Sequence, residues 1–156
     1  MKKLFTLLLF GVGLATGVLM TVEPAQAILG EVVDSVSSDK KVLAANGVTT
    51  TVHQGYSVQQ VNADAVIMRE FIAPSGVIFA IAWRGLSHPD LTLLLGTYTS
   101  EYEESLRHVR RQPDRRRLHM ETNRIVVEKW GHMRNLQGRA YVPALIPVGV
   151  TVDEIR

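Results

Sequence analysis

A single apolar stripe constrains the fold of this chain more than any other feature of the sequence. From residue 91 to residue 109, apolar side chains recur mostly three or four positions apart, as they do on one face of an α-helix. The stripe consists of Leu91, Leu94, Leu95, Tyr98, Tyr102, Leu106 and Val109. Ser87 is the predicted N-cap, and Pro113 is predicted to end the helix. The sequence therefore predicts one long amphipathic helix whose apolar face needs a covering layer.

The segments before the helix have the patterns of strands. Residues 48–59 alternate in polarity, which predicts one half-buried strand with a bulge at Gly55. Residues 66–73 form the predicted returning strand. Pro74-Ser75-Gly76 has the composition of a hairpin turn, and the uncharged run 77–83 follows it as a predicted central strand.

The run 77–83 also predicts how the helix packs. Val77, Phe79, Ile81 and Trp83 share one parity, whereas Ile78, Ala80 and Ala82 share the other. Because small side chains allow close approach, we expect the helix to lie on the alanine face.

Strand patterns return after the helix, near residues 118–120, 125–131 and 139–142. The predicted order is three strands, one helix and two or three further strands, βββ-α-ββ(β). This order is typical of an α+β protein in which an antiparallel β-sheet of about five to six strands packs against one long α-helix.

The N-terminus has the three-part pattern of a secretory signal peptide. Lys2 and Lys3 precede an uncharged run from Leu4 to Val22, and Ala25-Gln26-Ala27 places small residues where a signal peptidase cuts. An uncleaved anchor is the alternative, since a run of this length could just span a bilayer. The glycines of the run and Pro24 favour cleavage. We therefore expect residues 1–27 to be a cleaved signal peptide, 28–47 an N-terminal lead-in segment and 48–156 a single α+β domain.

Composition narrows the function classes. The chain contains no cysteine, which excludes a disulfide framework, a thiolate nucleophile and a lipid-anchored cysteine. After cleavage, 15 Lys and Arg would face 14 Asp and Glu, and this balance gives no support for nucleic acid as a partner. A second long apolar run is absent from the sequence, so we expect no transmembrane span in the mature chain.

The histidines do not form a recognisable metal or catalytic motif. His53, His88, His108, His119 and His132 are scattered, and none lies three or four residues from another. Neither a nucleophile elbow nor a glycine-rich phosphate loop is present. We predict no catalytic residue, no metal and no cofactor. The pairs left open for hydrolytic or metal-dependent chemistry are His88 with Asp90 and His119 with Glu121, together with His132.

Two tryptophans stand beside glycine at predicted strand ends, in Trp83-Arg84-Gly85 and Trp130-Gly131-His132. Aromatic residues at strand ends can line a ligand cleft, although most such tryptophans lie at core edges. The candidate ligand-binding residues are Trp83, Arg84, His132 and Arg139.

A run of arginines spans the end of the predicted helix and the connection after it. Its members are Arg107, Arg110, Arg111, Arg115, Arg116 and Arg117. The planar guanidinium group of arginine donates paired hydrogen bonds to carboxylate and phosphate groups. The run therefore predicts an anionic envelope surface as the partner. The alternative is structural, because cations stabilise a helix C-terminus and keep the following loop solvated.

Several segments together resemble one known family. They are Ile28-Leu29-Gly30, residues 69–79, Ala82-Trp83-Arg84-Gly85, Pro89-Asp90-Leu91, Leu94-Leu95-Gly96, Gly131-His132-Met133-Arg134, residues 138–143 and Asp153-Glu154-Ile155-Arg156. In this combination the chain resembles an exported bacterial family known as a domain of unknown function, number 2844 in that series. The resemblance implies a Gram-negative envelope protein and supplies no activity, cofactor or site residue. The arginine run lies outside these segments.

Three functions remain open at this point. The first is a non-catalytic binding or interaction module of the periplasm, with an extracellular destination as the alternative. Its partner would be an envelope protein or an anionic envelope component. The second is a small histidine/carboxylate-dependent hydrolase or a metal-dependent enzyme. The third is peripheral attachment to anionic envelope surfaces through residues 107–117.

Overall fold

The computed structural model of the chain describes residues 28–33, 48–63, 65–108 and 117–156. The predicted signal peptide, most of the predicted lead-in segment and part of the arginine run lie outside these residues.

Within the described residues, seven antiparallel strands form one sheet in the order β1-β2-β3-β4-β7-β6-β5. They are β1 (Val48–His53), β2 (Tyr56–Ala63), β3 (Val66–Ile72), β4 (Ile78–Gly85), β5 (Arg117–Glu121), β6 (Val126–His132) and β7 (Asn135–Tyr141). The α+β class is confirmed. The strand count and order differ from the prediction, because four strands precede the helical segment and three follow it. The predicted central position of β4 is confirmed, since it pairs with β3 on one side and β7 on the other.

The extra strand arises at Gly55. His53 pairs with Tyr56, so Gln54 and Gly55 form a two-residue hairpin turn and not a bulge. Gly55 has φ 88°, a left-handed conformation that glycine adopts without strain. The alternation of polarity continues unchanged across a turn of two residues, and for this reason the sequence pattern resembles one long strand.

The helical segment is interrupted where one long helix was predicted. It consists of α1 (Leu91–Leu95), a 3-10 turn (Gly96–Tyr98) and α2 (Thr99–His108). The N-cap is Asp90 and not Ser87, because the Asp90 carboxylate accepts a hydrogen bond from the Thr92 backbone N–H at 2.9 Å. Gly96 ends α1 with φ 51°, and a Cβ at this position would collide with the Ile28 side chain.

The helical segment packs on the face of the sheet that carries Ile81 and Trp83, so the prediction that it lies on the alanine face is wrong. Leu91, Leu94 and Leu95 belong to the same buried cluster as Ile81 and Trp83. The pairing of β3 with β4 skips Phe79, since Phe71 pairs with Ala80 and Ile72 with Ile78. This irregularity places Phe79 with Ala80 and Ala82 in a second cluster on the opposite face.

The C-terminal residues cover the alanine face. Ile155 is fully buried in the same cluster as Ala80 and Ala82, and Val150 and Val152 pack against it. The small side chains of the two alanines therefore make room for the C-terminal segment and not for the helix.

Residues 28–33 pack on the helical side of the sheet. The Leu29 side chain is 1% exposed and belongs to the same cluster as Leu94 and Leu95. Its backbone N–H donates to the Leu94 carbonyl at 2.9 Å, and the Gly30 N–H donates to the Ile78 carbonyl at 2.8 Å. The start of the predicted lead-in segment thus packs with the core.

Candidate functional site

Directly paired residues of neighbouring strands share a face of the sheet, so the strand register shows which side chains lie side by side. On the face opposite the helical segment, one row crosses five strands. It contains Arg69, Ala82, Arg139, Glu128 and His119, from β3, β4, β7, β6 and β5. The next row contains Ile67, Arg84, Gln137, Trp130 and Arg117 from the same strands.

The first row holds the C-terminal segment against the sheet. Arg69 donates from Nη1 to the Arg156 carbonyl at 2.7 Å, and Arg139 donates from Nη1 to the Val152 carbonyl at 2.6 Å. Ala82 lies between the two arginines and leaves space for the backbone that they bind. These two guanidinium groups therefore have a structural role.

Glu128 contacts two basic side chains in the same row. Its carboxylate accepts a hydrogen bond from Arg139 Nε and contacts His119 Nδ1 at 3.0 Å. Burial raises the pKa of the Glu128 carboxyl, but the hydrogen bonds from Arg139 and His119 outweigh this and lower it below its ordinary value. Glu128 therefore stays ionised and balances the charge of Arg139.

The second row leaves its cations exposed. Arg84 and Arg117 are solvent-exposed, and among the residues that the structure describes neither has a carboxylate within ion-pairing distance. Arg84 donates from Nε to Asn135 Oδ1 at 3.1 Å, and Gln137 donates to the same oxygen at 3.1 Å. Trp130 is half-buried between Gln137 and Arg117. We refer to Arg84, Gln137, Trp130 and Arg117 as the basic row.

Trp83 lies on the other face of the sheet. Its side chain is 3% exposed, and its indole Nε1 donates to His88 Nδ1 at 2.9 Å. Gly138 makes this packing fit, because a Cβ there would lie 2.6 Å from Trp83 Cε2. Burial, together with the nearby Lys129 ammonium, lowers the pKa of His88. The His88 ring is thus held in the neutral form that accepts the indole hydrogen bond.

The four candidate ligand-binding residues therefore do not meet at one surface. Arg84 and Arg139 share a face, and His132 lies at the end of β6, paired with Asn135. Trp83 is separated from Arg84 because successive residues of a strand point to opposite faces. The aromatic side chain that accompanies Arg84 is Trp130, and only the cross-strand register identifies it.

The predicted anionic-surface residues are only partly described. Arg107 is exposed in the last turn of α2, and Arg117 is exposed at the start of β5. Arg110, Arg111, Arg115 and Arg116 lie outside the described residues.

Of the histidine and carboxylate pairs left open by the sequence, the structure brings His119 and Glu121 close together. His119 Nε2 lies 3.6 Å from Glu121 and its other ring nitrogen contacts Glu128. An open cleft of about 560 Å³ adjoins His119 and is also lined by Glu101, Glu104, His108 and Glu121. No group of three or more potential metal ligands converges anywhere in the described part of the chain.

The described residues define an α+β protein with one antiparallel seven-stranded sheet, covered on one face by the helical segment and on the other by the C-terminal segment, and with an exposed basic row. A family model described as protein of unknown function (DUF2844) matches residues 25–155. The chain belongs to this family, which confirms the resemblance found in the sequence. No curated protein and no solved structure matches the chain. None of the described helices is long and apolar enough to cross a bilayer.

Proposed function

We propose that this protein is an exported, non-catalytic binding module that binds an acidic polymer of the bacterial envelope through the basic row. The observation that carries the proposal is the exposure of Arg84 and Arg117 on one sheet face without a carboxylate partner among the described residues. Unpaired guanidinium groups offer planar forks of N–H donors that match carboxylate and phosphate groups.

The basic row differs in charge from the row beside it. Arg139 is balanced by Glu128 and binds the backbone of Val152, so its donors are largely used within the protein. Arg84 has one hydrogen bond to a neutral amide through Nε. Of the two rows, the terminal nitrogens of Arg84 and Arg117 are thus the guanidinium donors for which the described residues supply no carboxylate.

The spacing of the two arginines favours a polymer over a small anion. Arg84 and Arg117 lie on β4 and β5, which are separated by β7 and β6. Three interstrand spacings place their Cα atoms roughly 14 Å apart. A chain with repeated negative charges can contact both guanidinium groups at this separation and cross Trp130 between them.

Export rests on the leader sequence. The uncharged run, the flanking lysines and Ala25-Gln26-Ala27 support cleavage after residue 27 and delivery to the periplasm. N-terminal sequencing of the protein from a periplasmic extract tests this step, with Ile28 as the expected first residue. A product that retains Met1 in the cytosol or in the membrane contradicts it.

Titration calorimetry with a polyuronate tests the binding step, with neutral dextran as the ligand control. Exposed charge pairs contribute about 0.2–1 kcal/mol each, so Arg84→Gln and Arg117→Gln should each weaken binding by up to about fivefold, and the double variant by more. Binding should also fall steeply as salt is raised to 0.3 M.

Arg124→Gln is the matched control. Arg124 lies 3.9 Å from Glu101 and 4.5 Å from the Tyr98 ring centroid, both in the helical segment, and its loss should leave affinity unchanged. Equal losses in all three single variants, or no binding at low salt, would refute the proposal. Binding to anionic vesicles but not to polyuronate would assign the basic row to a membrane surface instead.

One contact favours a second candidate, a histidine/carboxylate-dependent hydrolase. His119 lies 3.0 Å from Glu128 and is 58% exposed, so one ring nitrogen contacts a carboxylate while the ring reaches solvent. Hydrolysis of activated esters that His119→Gln abolishes would support it. Absence of hydrolysis in the unmodified protein rejects it.

A further inference from the structure

Strand β1 forms one edge of the sheet. It pairs with β2 along its whole length, and no other strand of the described residues pairs with its outer side. All of its residues except Val48 are exposed, and the Val52 side chain is 81% exposed. The outer side of β1 therefore presents main-chain donors and acceptors that a further strand can use.

The sequence of β1 does not protect this edge. Edge strands commonly carry lysine, proline, a bulge or an inward-pointing charge, each of which prevents pairing with another chain. Val-Thr-Thr-Thr-Val-His contains no lysine, carboxylate or proline, and its register with β2 runs without a shift. Its valines and threonines instead have high strand propensity.

The hairpin turn determines which backbone groups point outward. Residues that flank a two-residue turn form a hydrogen-bonded pair, and such pairs alternate along an antiparallel ladder. Because His53 pairs with Tyr56, the N–H and C=O groups of residues 49, 51 and 53 point toward β2. The corresponding groups of Val48, Thr50 and Val52 point to the outer side of β1, where no described strand pairs with them.

We propose that two copies of this protein associate through β1, antiparallel and about a two-fold axis at Thr50. This register places Thr50 opposite the partner's Thr50, and Val48 opposite the partner's Val52. All three outward-facing residues of each copy then lie in hydrogen-bonded pairs, which gives about six main-chain hydrogen bonds. The two sheets become one continuous sheet with twice the seven strands of the monomer.

The side chains suit this register. Val48 meets Val52 twice on one face, and Thr49 meets Thr51 twice on the other, because a two-fold axis repeats each contact. Pairs of β-branched residues and pairs of threonines are favourable across antiparallel strands. The absence of lysine, arginine and carboxylates from β1 means that two identical strands meet without charge repulsion.

Engineered cysteines test the register directly, because the chain contains none of its own. In the proposed dimer the two copies of residue 50 have Cα atoms about 5.5 Å apart, within the range that a disulfide spans. Two copies of residue 49 are offset along the strands and lie about 8 Å apart, beyond that range. Under mild oxidation, Thr50→Cys should therefore form a disulfide-linked dimer at least tenfold faster than the matched Thr49→Cys.

The second measurement is the molecular mass of the protein purified from cells, determined by analytical ultracentrifugation. The mass should rise from monomer to dimer with concentration, and Thr50→Pro should raise the dissociation constant at least tenfold, since proline removes an outward N–H without affecting the pairing with β2. If circular dichroism shows that Thr50→Pro is unfolded, Val52→Lys replaces it as the test variant. Its control is Val32→Lys, since Val32 is 64% exposed and lies outside β1. A monomer at all concentrations, or equal crosslinking of the two cysteine variants, overturns the proposal.

Discussion

Replacing Leu29 by alanine tests whether residues 28–33 belong to the folded body. The Leu29 side chain is 1% exposed and packs in the cluster that contains Leu94 and Leu95. Substitutions of this kind cost 2.7–5.0 kcal/mol in a well-studied series, with the smaller values where neighbours relax into the cavity. Leu29 lies in a short segment that can move toward the core, so we expect a loss of about 3 kcal/mol.

This loss is a large part of the 5–15 kcal/mol that is typical of a domain. With a urea dependence of about 2 kcal/mol per molar, the unfolding midpoint of Leu29→Ala should fall by about 1.5 M. The matched control is Val32→Ala in the same segment, whose side chain is 64% exposed and whose loss should cost less than about 0.5 kcal/mol. If the two variants unfold at the same urea concentration, Leu29 does not contribute to the core and the reasoning is refuted.

Three further predictions concern the two faces of the sheet. Gly138→Ala should lower the urea midpoint by about 1 M, because the added Cβ would lie 2.6 Å from Trp83 Cε2 and from the Glu128 carbonyl oxygen; an unchanged midpoint contradicts this packing. The lowered pKa of His88 means that its contribution to stability is present above about pH 6.5 and declines as the pH falls below that value, since the unfolded chain takes up the proton first. The urea midpoint should therefore fall more between pH 7.5 and pH 5.5 in the unmodified protein than in His88→Gln, and parallel profiles would refute it. Arg139→Met should speed amide hydrogen exchange at residues 152–155 about tenfold or more, because the Val152 carbonyl loses its guanidinium donor; unchanged exchange would show that Arg139 does not hold the segment.

Local patterns predict the elements of this fold better than their arrangement. The turn at Pro74-Ser75-Gly76 is confirmed, with Gly76 at φ 83° and its N–H donating to the Ala73 carbonyl at 2.8 Å. The stripe of apolar residues from Leu91 predicts the helical segment, because periodicity is a property of neighbours in sequence. The break comes at Gly96, where the Ile28 side chain from a distant part of the chain occupies the space that a Cβ would take, and this contact is not visible in the local pattern.

The candidate site is likewise predicted in part by local patterns, whereas the rest of it depends on contacts between distant segments. Strand parity separates Trp83 from Arg84 in the sequence itself, once 77–83 is taken as a strand that continues to Gly85. Which side chains stand beside Arg84 depends on the register of β4, β7, β6 and β5, and this register is set by pairing between distant segments. Phe79 shows how sensitive the faces are, because one skipped residue moves its ring from the helical side to the opposite side.

Some of the segments that resemble the family contact one another in the structure. Ile28 of the first segment lies against Gly96 of another, and Trp83 lies against Gly138. Both glycines are therefore positions where a second segment needs the space that a side chain would occupy. The sequence shows the segments, and the structure shows that they meet.

The burial of Ile155 bears on how a chain of this kind completes its fold. Ile155 packs on the alanine face of β4, so this part of the face stays open to solvent until residue 155 has emerged from the ribosome. A polypeptide from which residue 155 has not yet been released therefore has one face of its sheet incompletely covered.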